Sequence, residues 1–217
     1  MNNKQKANLI VTILNKIYPK TPIPLKHRNK FTLLISVLLS AQCTDLNVNN
    51  VTKDIYSKYY KPEHFVKLGR ARIERLIKKI GIFRIKAKSI YNLSKQLLDK
   101  HKGQVPNTFT ELEKLPGVGH KTASVVISQG FGKPAFPVDT HIHRLAQRWG
   151  LTSGKNIKKT EEDLKTLFLQ KNWNKLHLQM IFYGREFCKA RECYGIGCKI
   201  CKSCYPNRTK PIKTNKA

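Results

Sequence analysis

The sequence predicts an all-α fold. Apolar residues recur at helical spacing in almost every segment. No stretch alternates with period two for long, and no Asn-Gly type of turn joins two apolar runs.

The elements follow in order. Residues 5–17 carry Leu9, Ile13 and Ile17 at helical spacing, broken by Asn8 and Thr12 and followed by no small-residue cleavage site, so they read as an amphipathic helix rather than a leader. Residues 19–25, "PKTPIPL", read as a proline-broken linker. The most apolar run, "FTLLISVLLSA" (31–41), is far shorter than the ~20 residues that span a bilayer and reads as a buried helix within 30–41. Residues 46–59 continue with Val48, Val51 and Ile55; "IERLIKKIG" closes at Gly81; residues 86–101 show Ile90, Leu93, Leu97 and Leu98. Thr108 with Glu111 reads as a capping box that opens a short helix stopped at Pro116. A second helix over 120–129 has Ala123, Val126 and Ile127 on one face. A Gly/Pro-rich crossing leads to a helix at Thr140, and helices over 160–170 and 173–187 follow. Residues 207–217 are a basic tail expected to be disordered.

The chain has 217 residues, with 42 Lys+Arg against 13 Asp+Glu and a formal net charge of +29. Such an excess points to a polyanionic partner, nucleic acid first and an anionic membrane surface second. Part of the lysine excess also fits biased codon composition, since Asn and Ile are abundant too, so a partner must be argued from specific residues. The expected setting is the cytoplasm.

Four features carry chemistry. In "LPGVGHKTASVV", Pro116, Gly117 and Gly119 break one helix and Lys121 stands near the head of the next. Backbone N–H groups at a helix start bind phosphate, with Leu115 and Val118 anchoring the turn; a plain helix connector is the competing reading. A weaker echo, Gly81 with Lys86, reads as structural. In "PVDTHIHRL", Asp139 or Thr140 is placed to cap a helix, and Asp139 is also placed to serve Lys121. A lysine nucleophile needs a lowered pKa or a nearby base, and like-charge repulsion in a basic chain supplies the first. In "LLSAQCTD", Gln42 and Thr44 stand at the exposed end of the apolar helix, and Cys43 reads as a packed thiol. Five of the six cysteines lie between 188 and 204. Cys198, Cys201 and Cys204 have ferredoxin-like spacing, and Cys188 supplies a distant fourth thiolate, which suits a [4Fe–4S] cluster; zinc is the alternative. Lys189, Arg191, Lys199 and Lys202 make the same loop basic.

Taken together, "LLSAQCTD", "LPGVGHKTASVV", "VDTHIHRL" and "FYGREFCKAR" resemble, in order and over nearly the whole chain, the endonuclease III family of helix-hairpin-helix DNA glycosylases. The resemblance implies a two-domain all-α fold: a six-helix barrel over 23–133 carrying the hairpin, and a [4Fe–4S] domain from 1–22 plus 134–206. It implies removal of oxidised pyrimidines from double-stranded DNA, with lyase cleavage at the abasic site. Lys121 corresponds to the nucleophile and Asp139 to its acidic partner. Gln42 matches a family residue that fills the gap left by the extruded base. Leu115, Pro116, Gly117, Val118, Gly119, Thr140, Lys189 and Arg191 are the expected further DNA contacts. A nucleoid-associated monomer with no membrane attachment is expected. An adenine-mismatch glycosylase and a non-enzymatic DNA-binding hairpin protein are the alternatives. The chain departs from the family at the cysteines. The family pattern is Cys-x6-Cys-x2-Cys-x5-Cys, and Gly195 stands at its second place here. Cys188, Cys198 and Cys204 keep their places, and the missing ligand is assigned to Cys201, with Cys193 as the alternative.

Overall fold

The computed structural model describes residues 1–216; the last residue of the expected tail lies outside them. The described residues are helical, with no strand among them, and they divide into two compact units.

One unit is Met1–Pro22 together with the chain from Pro134 onward. It contains α1 (Asn3–Ile17), and the helices after Pro134 will be numbered α8 (Thr140–Arg148), α9 (Ile157–Leu167), α10 (Trp173–Glu186) and α11 (Lys199–Cys204). The other, Ile23–Lys133, contains α2 (Lys30–Ser40), α3 (Asp45–Lys58), α4 (Pro62–Leu76), α5 (Phe83–His101), α6 (Phe109–Leu112) and α7 (His120–Val125), the last continued by a π-helical turn over Val126–Gly130.

Short polar side chains cap α1, α2, α3, α6, α8 and α9. Asn2 and Gln5 form a reciprocal box on α1, and Asn29 with Thr32 does the same on α2. Thr108 accepts the Glu111 N–H at 3.3 Å, but its hydroxyl donates to the Glu111 carboxylate at 2.9 Å, so the pair bonds side chain to side chain.

Helix α2 forms the spine of its unit. Phe31 through Leu39 are all buried, and the buried Ser36 hydroxyl is satisfied by Tyr56 at 2.8 Å. In the other unit Leu14, Phe136, Ile142, Leu145, Trp149, Met180 and Tyr183 share one core with Cys188 and Cys201.

Two sequence expectations change. Helix α4 begins at Pro62, eleven residues before Ile73; proline at a first helical position was the available signal. Gly69 then breaks it with φ +71° and ψ 160°, a conformation open only to glycine. The segment after Cys204 is not a free tail through Lys216. Arg208 donates to the carbonyls of Arg148 (2.7 Å) and Gly195 (3.1 Å) and lies over the Tyr205 ring. The Ile212 N–H bonds the Tyr194 carbonyl at 3.0 Å, and Asn215 exchanges hydrogen bonds with Gln147. Specific partners for the backbone, rather than apolar burial, hold this polar segment, and composition does not signal them.

Candidate active site and metal centre

The hairpin between α6 and α7 is built by two buried anchors, Leu115 and Val118, whose turn closes by a Val118 N–H to Leu115 carbonyl bond of 3.0 Å. Gly117 sits at φ +79°, and a Cβ there would come within 2.7 Å of the Ser89 Cβ. Both facts demand glycine. Gly119 differs: it is the N-cap of α7 with an ordinary extended backbone, and a Cβ there would meet nothing within 4 Å. No packing contact requires glycine at 119, where its one structural role is the N-cap, a position that favours glycine over alanine. Pro116 is half-buried between the anchors and the exposed Gly117.

Lys121 is exposed and is the second residue of α7. Its neighbour His120 bonds Glu113 through Nδ1 at 2.7 Å and stacks on Phe109 with centroids 5.3 Å apart. This brace ties the head of α7 to α6 and fixes the stretch from which Lys121 projects. Nothing in the sequence pattern singles out His120.

Gln42 follows α2, exposed and with left-handed backbone at φ 53°. Ile82, the N-cap of α5, also has a left-handed backbone, φ 50°, with half its side chain exposed. A β-branched residue in that region is strained by about 1–2 kcal/mol. The two turns adjoin: a Cβ on Gly81 would lie 3.7 Å from the Gln42 carbonyl oxygen, and Asn47 donates to the Lys79 carbonyl at 3.1 Å. Ile82 was missed in the sequence because an isoleucine beside a glycine looks like core. Cys43 is half-buried and accepts from Asn47 Nδ2 at 3.2 Å, as a packed thiol would. Thr44 caps α3 by accepting the Asn47 N–H at 3.2 Å.

Lys121 belongs to the unit over 23–133 and Asp139 to the other. Asp139 is the N-cap of α8, its Oδ1 accepting the Ile142 N–H at 2.8 Å. Buried Phe136 and Val138 fix the strand of chain before it, so the half-buried carboxylate is held at the rim of its core, with Thr140 exposed beside it. His141, two residues on, accepts from Arg144 Nη2 at 3.2 Å through Nδ1. Burial pulls the His141 pKa below the usual value, and Arg144 and Arg185 push the same way against Asp139. The imidazole is therefore the neutral acceptor.

Four cysteines converge: the Sγ atoms of Cys188, Cys193, Cys198 and Cys201 all lie within 4.8 Å of one another and all four residues are buried. Cys204, expected in the set, is not in this group, and Cys193 takes its place. The reason is helical. Cys198 caps α11 and Cys201 sits in its first turn, so Cys204 lies one turn further along the axis, and burial pushes its thiol up to about 11. Hydrogen bonds from Cys188 and Cys198 push the Cys201 thiol far up, while those with Cys188 and Cys201 hold Cys198 down at about 2. Four such thiols ionise together only around a cation. As a donor set they fit either a [4Fe–4S] cluster or zinc. Their spacing fits the cluster poorly, because a cubane seats each thiolate on a different iron and so spreads the sulfurs wider than one ion does.

Two arginines one turn apart on α8 grip this loop. Arg144 Nη2 donates to the Cys188 carbonyl at 3.0 Å. Arg148, itself buried, donates to the Cys188 carbonyl and Sγ (both 3.3 Å) and to the carbonyls of Lys189 (2.8 Å) and Ala190 (2.9 Å). The helix that Asp139 caps is thus bolted to the cysteine loop. Lys189 and Arg191 are exposed on that loop, and Lys189 pairs with Glu192 at 3.1 Å.

No helix among the described residues is long and apolar enough to cross a membrane. The family model for HhH-GPD superfamily base excision DNA repair proteins matches residues 35–170. Endonuclease III of Bacillus subtilis (strain 168) is 38% identical over 214 residues, covering 98% of each chain. Endonuclease III of Rickettsia prowazekii is 42% identical over 197 residues, covering 91% of this chain and 92% of its own. A solved endonuclease III, trapped as a covalent intermediate with DNA in an estranged-adenine complex, superposes with a TM-score of 0.86 at 40% identity, covering 94% of this chain and 99% of that one.

Proposed function

The chain belongs to the endonuclease III family of HhH-GPD base excision DNA repair proteins, and from that membership we propose how its residues release a damaged base and cut the strand. It is a DNA glycosylase with abasic-site lyase activity, acting on DNA that carries a damaged base or an abasic site. Oxidised pyrimidines in duplex DNA are the substrate class. A damaged base is inaccessible within the stack and is flipped out before attack; loss of ring aromaticity weakens stacking and lowers that cost.

The neutral amine of Lys121 attacks C1′ of the extruded nucleotide. The new C–N bond forms as the glycosidic bond breaks, and the base leaves with the bonding pair. Asp139 accepts the proton shed by the ammonium or stabilises positive charge developing on the sugar. The Schiff base that results acidifies the C2′ proton. Its loss expels the 3′ phosphate by β-elimination, cutting the strand 3′ to the lesion. A glycosylase using water needs no such lysine. The observation that carries this reading is Lys121 itself: exposed at the head of α7, directly after the two-glycine hairpin, in a chain aligned nearly end to end with proteins of this activity. A relative captured in covalent attachment to DNA supports a nucleophile of this kind.

Gln42 is the residue we assign to the gap left by the flipped base. Leu115 to Gly119, Thr140, Lys189 and Arg191 are assigned to backbone contacts, and the family's [4Fe–4S] cluster is the resemblance's expectation for the cysteine loop. The four-thiolate site is a metal-holding structural element; base removal and elimination need no step through it.

The test is incubation with a duplex containing thymine glycol in the presence of borohydride. Cleavage and covalent trapping are expected from the wild type. Lys121→Gln should lose trapping while keeping duplex binding, and trapping at the wild-type level by that variant would remove Lys121 from the role. Asp139→Asn should slow base release by orders of magnitude.

A further inference from the structure

We propose that Cys188, Cys193, Cys198 and Cys201 close around one tetrahedral divalent ion, zinc, rather than a multi-iron cluster. The proposal deepens the metal-holding reading above and is independent of the chemistry at Lys121.

The first argument is distance. A tetrahedron with metal–sulfur bonds of ~2.3 Å has sulfur–sulfur edges of about 3.8 Å. Cys188 Sγ stands 3.9 Å from Cys201 Sγ, and Cys193 Sγ stands 3.7 Å from it. None of the six pairs among the four exceeds 4.8 Å. A cubane of iron and sulfide cannot enter this space without pushing every pair apart.

Spacing in the chain supplies a second argument. Two of the three intervals hold four residues, Cys188 to Cys193 and Cys193 to Cys198, and the third, Cys198 to Cys201, holds two. All fall within the two to four residues usual between paired zinc thiolates. The family's six-residue interval is absent, and its five-residue interval, Cys198 to Cys204, ends on a thiol that lies outside this group.

The surroundings suit a closed structural site. All four residues are buried, as the ligands of a structural zinc site are. Four thiolates on a dication carry net negative charge, and Arg148 Nη1 lies on the Cys188 sulfur at 3.3 Å to offset it. The Cys198 N–H donates to Cys193 Sγ at 3.3 Å. Soft thiolates in a tetrahedron select zinc among the common divalent ions.

The experiment is metal and acid-labile sulfide analysis of the full chain, produced with iron and zinc both available and purified without oxygen. One zinc per chain, no labile sulfide and no visible absorbance are expected. Cobalt(II) added to the metal-free chain should give the intense visible bands of a tetrahedral thiolate site. Iron and sulfide in equal, multiple equivalents per chain would overturn the proposal and leave the metal-holding reading intact. No bound metal and no cobalt bands would overturn both. Zinc content should fall on Cys193→Ser and persist on Cys204→Ser, and the opposite pattern would overturn the ligand set. Zinc present with borohydride trapping absent would count against the function and not against this site.

Discussion

The buried ammonium of Lys86 donates to the Leu39 carbonyl at 2.9 Å and to the Ala41 carbonyl at 2.6 Å. It therefore closes the C-terminal end of α2, where a cation also meets the negative end of the helix dipole, and holds the turn that presents Gln42. Burial pulls its pKa below the usual lysine range, a cost kept because the alternative is unpaired carbonyls. Lys86→Met should lower stability by about 1–3 kcal/mol, the penalty of a buried acceptor left without a donor. Urea midpoints measure this. Unchanged stability with impaired cleavage would assign Lys86 to the chemistry instead.

Gln42 and Ile82 hold strained backbone at adjoining exposed turns, a combination that persists where function requires it. Ile82→Gly relieves the strain but also loses the buried half of the side chain and gains unfolded-chain freedom, so stability should stay within about 1 kcal/mol of wild type while binding to a lesion duplex weakens. Binding that stays at the wild-type value would show that the turn does not serve the duplex.

The two hairpin glycines should part company. Gly117→Ala meets Ser89 at 2.7 Å on left-handed backbone and should destabilise by more than about 1 kcal/mol. Gly119→Ala meets no neighbour and loses only the N-cap preference for glycine over alanine, so it should cost no more than about 1 kcal/mol while weakening duplex binding, since a methyl group would then stand between the backbone and a phosphate. Parallel urea titrations and duplex binding curves separate the two. Equal effects of both substitutions on stability would refute the assignment.

Much of this was legible in the chain because periodicity and punctuation act locally. The apolar run over 31–41 reads as a buried helix because nothing else shelters nine successive apolar or small residues, and Pro116 with Gly117 and Gly119 marks the hairpin because few residues turn a chain that sharply. The cysteines were less legible. Sequence spacing gives the reach of a ligand but not its direction, and Cys204 left the expected set once α11 carried it one turn past Cys201. Arg144 and Arg148 were unreadable for a similar reason: their partners are backbone carbonyls some forty residues away, and a carbonyl has no signature in a sequence. The docking of Arg208 onto the Arg148 carbonyl escaped for the same cause.

Stability should also fall in mild acid. Burial holds His141 and His143 below their ordinary value near 6.5, so below that pH the unfolded chain binds protons that the folded chain does not. Their contribution is complete above about pH 6.5 and is lost as pH falls through the window beneath it, by at most about 1.4 kcal/mol per pH unit for each histidine. The half-buried His141 should contribute less than this, because solvent screens it. His143 is almost wholly buried, with Nδ1 bonded to Thr160 Oγ1 at 2.8 Å. His143→Gln keeps a polar group toward Thr160 and removes the titration. Urea midpoints measured at about pH 7.5 and about pH 5 should converge for this variant relative to wild type. Acid release of any metal held at the cysteines would act on both proteins alike, so it cancels in the comparison, and a wild-type slope no steeper than the variant's would show that His143 is not what acid disrupts.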